Sequence, residues 1–149
     1  MLNLVVDNSG SMIEGGRRFV ERTVVRQLGR FLRTGAVKSE VRLYLLSGNL
    51  VETSWSPDVD VPPAILSPSG RLNVEALLSA PFLPSAKTVF ITDFCFGTED
   101  ERKIRDLITQ KHSGRVFVVR IGEGASSDRV DDGVFTVERI EGLVRELQL

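Results

Sequence analysis

Apolar residues along this chain fall into two alternating patterns, short continuous runs and longer stretches with helical spacing. The run at residues 2–6, in which only Asn3 is polar, reads as a strand buried on both faces. From 17 to 33, Val20, Val24, Leu28 and the Phe31/Leu32 pair recur at three- and four-residue intervals, which predicts an amphipathic helix with Gly35 as its stop. Residues 41–46 and 50–53 flank Ser47-Gly48-Asn49, a hairpin signature that makes the second of these strands antiparallel. Pro57, Pro62, Pro63, Pro68 and Gly70 break up residues 54–70 into an irregular loop. A short helix is expected over 72–79, turning Val74, Leu77 and Leu78 inward.

The second half repeats this logic. Residues 88–92 form a β-branched apolar run ending at Thr92. A helix is predicted over 99–110, because Ile104, Leu107 and Ile108 share a face and the acidic residues at 99–101 suit the positive end of a helix dipole. Another buried strand is expected at 116–121, a polar loop at 122–133, a short edge strand at 134–137, and a last helix carrying Ile140, Leu143, Val144 and Leu147. Strands that alternate with amphipathic helices pack as a mostly parallel sheet covered on both faces. The expected fold is a doubly wound α/β domain over residues 1–149, with six strands, one antiparallel edge strand, and helices on both faces.

Charge and cysteine content narrow the functional classes. The net charge is −1, and no Lys/Arg cluster exceeds the Arg17-Arg18 pair, which argues against a nucleic-acid partner. Cys95 is the only cysteine, so no intrachain disulfide can form and a reducing compartment is expected. No apolar run approaches the roughly 18 residues of a membrane span, and no basic leader opens the chain. These features point to a cytoplasmic protein with no membrane partner.

Candidate chemistry sits at strand ends, where sheets of this type bind ligands. The first strand runs into Asp7-Asn8-Ser9-Gly10-Ser11, whose alternate residues can aim one carboxylate and two hydroxyls at a common point. Hard oxygen donors of this kind suit Mg²⁺ or a similar cation. The same five residues also make a good turn in which Asp7 simply caps the following segment. A second strand-end acid, Asp93, follows Thr92, and two carboxylates converging on one crevice repel unless positive charge lies between them.

Together these residues resemble the von Willebrand factor A (vWA) family, a Rossmann-like fold whose metal-ion-dependent adhesion site (MIDAS) is written Asp-x-Ser-x-Ser, then a distant Thr, then a distant Asp. Asp7, Ser9 and Ser11 match the first element, and Ile91-Thr92-Asp93 with Gly97 and the acids at 99–101 looks like the last. The turn at Leu45-Leu46-Ser47-Gly48 is similar to the family's second-strand turn. The resemblance implies a metal held by Asp7, Ser9, Ser11 and Asp93, with Mg²⁺, Mn²⁺ or Ca²⁺ as cofactor. It also implies a partner protein whose Asp or Glu completes the coordination, such as an AAA-type ATPase or another component of a bacterial multi-protein system. One element departs. Ser69-Gly70-Arg71-Leu72 puts Arg71 where the family has Thr, and a guanidinium has no acceptor with which to ligate a cation. Arg71 then swings to solvent, or Ser69 or Ser67 supplies the hydroxyl, or Arg71 pairs with both acids and replaces the metal in a degenerate, metal-free scaffold.

A rival reading is a Mg²⁺-dependent phosphotransfer enzyme with a first-strand Asp as nucleophile. That chemistry needs a second Asp two residues on, where this chain has Ser9. A non-enzymatic binding module is therefore expected. His112, the only histidine, reads as a surface residue, and Cys95 as a buried, inert thiol. Trp55 is either an exposed recognition residue or an anchor holding its loop to the core. Asp128, Asp131 and Asp132 read as a solvated surface.

Overall fold

A computed structural model describes residues 1–35, 37–122 and 133–148, so the acids at 128, 131 and 132 lie outside the described residues. Six strands make one sheet: β1 (Leu2–Asp7), β2 (Val41–Leu46), β3 (Leu50–Thr53), β4 (Lys87–Thr92), β5 (Val116–Arg120) and β6 (Val134–Thr136). Their spatial order is β3-β2-β1-β4-β5-β6, with every pairing parallel except β2 with β3. The antiparallel strand lies at an edge because the Ser47-Gly48-Asn49 turn folds it straight back onto β2, with Leu46 opposite Leu50.

Among the described residues four α-helices cover the sheet: α1 (Arg17–Arg33), α2 (Val74–Leu78), α3 (Thr98–Asp106) and α4 (Ile140–Gln148). Strand alternation sends Leu4, Val6, Val89 and Ile91 to one face, where α1 contributes Val24, Val25 and Leu28 and α4 contributes Leu143. Val5, Phe90 and Val118 point to the other face, against Val74 and Leu77 of α2 and Ile104 of α3. Every residue of β1 is buried, as a strand with two parallel neighbours and helices above and below must be.

Local departures from the expected elements have physical causes. The loop at 54–70 contains a 3₁₀ turn, Pro63–Leu66, started by a proline whose fixed φ suits a first helical position. The helix expected over 99–110 changes character after Asp106: Leu107–Lys111 is a single π turn, closed by the His112 amide donating to the Leu107 carbonyl at 2.9 Å. Trp55 anchors its loop. It packs on the core and donates from Nε1 to the Val59 carbonyl at 3.2 Å. Among the described residues, no helix is long and apolar enough to cross a membrane.

Candidate functional site

β1 and β4 lie side by side in parallel, with Val6 beside Ile91, so both chains reach the same edge of the sheet together. β1 continues through α1 to β2 on one side, whereas β4 continues through α3 to β5 on the other. The connections diverge between β1 and β4 and open a crevice there, as they do wherever strand order reverses. It encloses about 290 Å³, and Asp7, Ser9, Ser11, Arg71, Asp93 and Asp100 are among its walls.

The sequence-predicted oxygens are continuous in space. Asp7 Oδ1 accepts hydrogen bonds from the Ser9 hydroxyl at 2.6 Å and the Ser9 amide at 3.0 Å. The Ser9 and Ser11 hydroxyls are 3.3 Å apart, and Ser11 donates to Asp93 Oδ2 at 3.1 Å. Asp7 thus closes an Asx-type turn onto Ser9 without capping the helical segment that follows, and it stands at one end of a line of oxygens that ends on the second acid. Burial raises the Asp7 pKa above its ordinary 3.8, hydrogen bonds from Ser9 and Thr92 oppose that rise, and the Asp93 charge adds to it.

Thr92 was not foreseen as part of the site. Its hydroxyl donates to Asp7 Oδ2 at 2.7 Å, bridging the two strands, and accepts the Phe94 amide at 3.2 Å. Phe94 has φ +60°, the one non-glycine residue with positive φ among those described. This strained turn lets the Cys95 amide donate to Asp93 Oδ1 at 3.0 Å and fixes the carboxylate's aim. It also overturns the expectation of a buried thiol, because the reversal carries Cys95 out to an exposed position on the crevice rim. Partial burial of the sulfur, then the Asp93 charge, raises its pKa, so it remains a protonated thiol at neutral pH.

Arg71 lines the rim and is exposed, and among the described residues it forms no ion pair with Asp7 or Asp93. The guanidinium on Asp93 belongs instead to Arg17. Its Nη1 lies 3.2 Å from Asp93 Oδ2 and donates to the Ser11 carbonyl at 3.1 Å. Arg17 reads from sequence as one of many arginines on α1, and nothing in its neighbourhood announces a contact across the sheet. Ser67 and Ser69 are exposed and stay out of the crevice. The Ser69 amide donates to the Asn8 carbonyl at 2.9 Å, and the Gly10 amide to the Gly70 carbonyl at 2.9 Å, so this loop is strapped to the Asp7–Ser11 turn.

Gly70 holds that strap at φ +79° with nothing near its missing side chain. Gly70→Ala should therefore cost about 1 kcal/mol through backbone strain alone, read by equilibrium denaturation. Unchanged stability would mean that the loop relaxes without loss.

A further acid lies behind the site. Glu21 of α1 is fully buried, and neither carboxyl oxygen has a hydrogen-bond partner among the described residues. Burial, followed by the charges of Asp7 and Asp93, pushes its pKa up to about 10. It is a neutral acid at pH 7. Its spacing from Val24 and Val25 marks it, in retrospect, as a polar residue on the apolar stripe of the helix.

A hard cation fits the donors present, since two carboxylates and two hydroxyls form an unbroken oxygen line. Those four contribute only two acidic groups, and no cluster of three or more His, Cys, Asp or Glu side chains able to hold a metal occurs among the described residues.

No protein-family model matches the sequence, and no curated protein matches it. Solved structures do share the fold. BatB of Bacteroides thetaiotaomicron, a conserved hypothetical protein, superposes with a TM-score of 0.61 at 14% identity, covering 98% of this chain and 96% of that one. The manganese-loaded TRAP protein of Plasmodium vivax gives 0.63 at 13% identity, covering 99% and 72%. The Ro (RSR) protein of Deinococcus radiodurans gives 0.58 at 14% identity, covering 99% of this chain and 34% of that one. At these identities the likeness is one of fold, and the fold is the vWA-like, Rossmann-like α/β sheet.

Proposed function

We propose that this vWA-like domain is a protein-interaction module that binds an acidic group of a partner through a divalent cation held by Asp7, Ser9, Ser11 and Asp93. The observation that carries the reading is the oxygen line from Asp7 to Asp93 at the point where the sheet's connections diverge. Mg²⁺ and Mn²⁺ match such donors, and the manganese in the TRAP structure agrees with that choice. Two carboxylates neutralise a divalent ion without overcompensating it, and Arg17 and Arg71 beside the crevice add positive charge, so a further Asp or Glu from outside can complete the coordination. Arg71, exposed on the rim, stands where such an acid would approach. The partner is a protein presenting that acid, an AAA-type ATPase or another component of a bacterial multi-protein system being the class proposed. Ser9 in place of a second acid supports binding rather than phosphotransfer.

The test is thermal unfolding with and without Mn²⁺ or Mg²⁺. A ligand that binds only the folded state stabilises it by about 1.4 kcal/mol at ten times its Kd. The melting temperature should rise with ion concentration, and Asp7→Ala should abolish the rise. A wild-type melting temperature indifferent to both ions would sink the proposal. The Arg17–Asp93 ion pair favours a second reading, in which the scaffold binds partners without metal and Arg17 supplies the countercharge. Indifference to the ions is the result that reading expects.

A further inference from the structure

A second surface lies along α1, away from the strand-end oxygens. Arg18, Arg22, Arg26 and Arg30 follow at every fourth position and Arg33 completes the row, a spacing that stacks side chains on one side of a helix. The only acid on α1 is Glu21, which is buried, so the helix itself offers them no counterion. A helix dipole favours Arg30 and Arg33 at the C-terminal end. It disfavours Arg18 and Arg22 near the N-terminal end, where no first-turn acid offsets them.

Three of these arginines fasten the neighbouring loop. Arg18 donates to the Leu66 carbonyl at 3.3 Å, Arg26 pairs with both Asp60 oxygens at 2.9 Å, and Arg33 donates to the Pro57 carbonyl at 2.8 Å. Arg30 is different. It is exposed, and among the described residues its side chain has no hydrogen bond or ion pair. It stands in a groove of about 430 Å³ between α1 and the loop, whose walls include Gln27, Arg30, Arg33 and Trp55. The Trp55 ring lies against Gly29, where an added methyl would come within 3.3 Å of it, so the indole is a fixed wall.

We propose that this groove docks an acidic peptide segment of a protein partner, its carboxylates pairing with Arg30 and Arg33 and its backbone lying along Trp55. Arg26 neutralises Asp60, which leaves Asp58 as the remaining acid on the rim against two arginines in the groove. Isolated carboxylates can address Arg30 and Arg33 individually, whereas a continuous phosphate backbone would run past both rim acids. The overall charge of −1 is likewise unsuited to nucleic acid. None of the groove residues lines the strand-end crevice, so the docking needs no cation and stands independently of the metal reading.

Trp55 is the only tryptophan, which makes its fluorescence a local reporter. Wild-type protein in EDTA is titrated with a short oligoglutamate peptide and, separately, with a single-stranded oligothymidylate of equal charge. The peptide should change Trp55 emission saturably, with affinity falling as salt rises. Arg30→Glu should weaken it about tenfold or more, and Asp58→Asn should strengthen it. Arg30→Glu removes no side-chain hydrogen bond or ion pair, so its far-UV circular dichroism and cooperative unfolding should match wild type and confirm that folding is intact, with the melting temperature lowered only slightly by an acid near the C-terminal end of the helix. No saturable response, equal affinity in Arg30→Glu, or tighter binding of the oligothymidylate would each overturn the proposal.

Discussion

Replacing Arg17 by methionine should destabilise the domain by about 2 kcal/mol in EDTA and make it lean on divalent ions more than wild type does. The Asp93 side chain is 2% exposed and that of Arg17 17% exposed, so solvent screens the pair little. Removing one partner of a buried pair leaves the other charge uncompensated, and here that charge also faces Asp7. The partial exposure of Arg17 keeps the cost below the 3–5 kcal/mol of a fully enclosed pair. The same change frees Asp93 Oδ2, so a cation no longer competes with a guanidinium for that oxygen. Unfolding of both proteins in EDTA and in Mn²⁺ checks both halves. If the variant is as stable as wild type in EDTA, the ion pair contributes nothing. If Mn²⁺ stabilises both equally, Arg17 and the ion do not compete.

Glu21→Leu should raise stability at neutral pH, and the gain should grow with pH. The folded-state pKa of Glu21 is raised from an ordinary 4.5 to about 10, with burial the main cause. Below pH 4.5 the carboxyl is protonated in both states and titration costs nothing. Between 4.5 and 10 the unfolded chain releases the proton while the folded chain keeps it. The folded state then binds more protons, so stability falls as pH rises, by about 1.4 kcal/mol per unit. At pH 7 the accumulated cost is about 3 kcal/mol. Leucine cannot titrate and leaves no polar atom unpaired, so it removes this slope and also the unpartnered oxygens. Denaturation of both proteins at several pH values from 5 to 8 should give curves that diverge steadily. Parallel curves would show that Glu21 ionises inside the fold as readily as outside it.

The architecture was legible because its signals are local. Residues 2–6 are apolar except for Asn3 and 116–119 are an unbroken apolar run, α1 keeps its spacing for its whole length, and Ser47-Gly48-Asn49 dictates a reversal that can only yield an antiparallel strand. The convergence of Asp7, Ser9, Ser11 and Asp93 was legible because each sits at or just beyond the end of a readable strand. What escaped depends on long-range contact or on backbone geometry. Arg17 meets Asp93 across 76 positions of sequence, and in a helix full of arginines it carries no distinguishing mark. Cys95 reads from sequence as a buried, inert thiol because no histidine or basic residue stands beside it, whereas the positive φ of Phe94 turns it out. Phenylalanine gives no warning of that conformation, which glycine or asparagine would have given. The carboxyl of Glu21 was readable as an interruption of an apolar stripe, but its meaning needed the neighbouring acids.

Asp7, Thr92 and Asp93 sit at or one residue past the last rungs of a parallel ladder, whereas Arg71, Cys95 and Phe96 belong to loops around them. A one-residue slip of β4 against β1 would turn every β4 side chain to the opposite face, so register and core packing together specify the oxygens. Among the loop residues, Phe96 packs on the core beside Phe90 and Phe94, whereas Arg71 and Cys95 are exposed and tolerate sequence change. The domain therefore separates inheritance from innovation. Substitutions at 71 and 95 can retune what approaches the crevice while the strand ends keep their geometry, so new recognition can evolve without the scaffold being rebuilt.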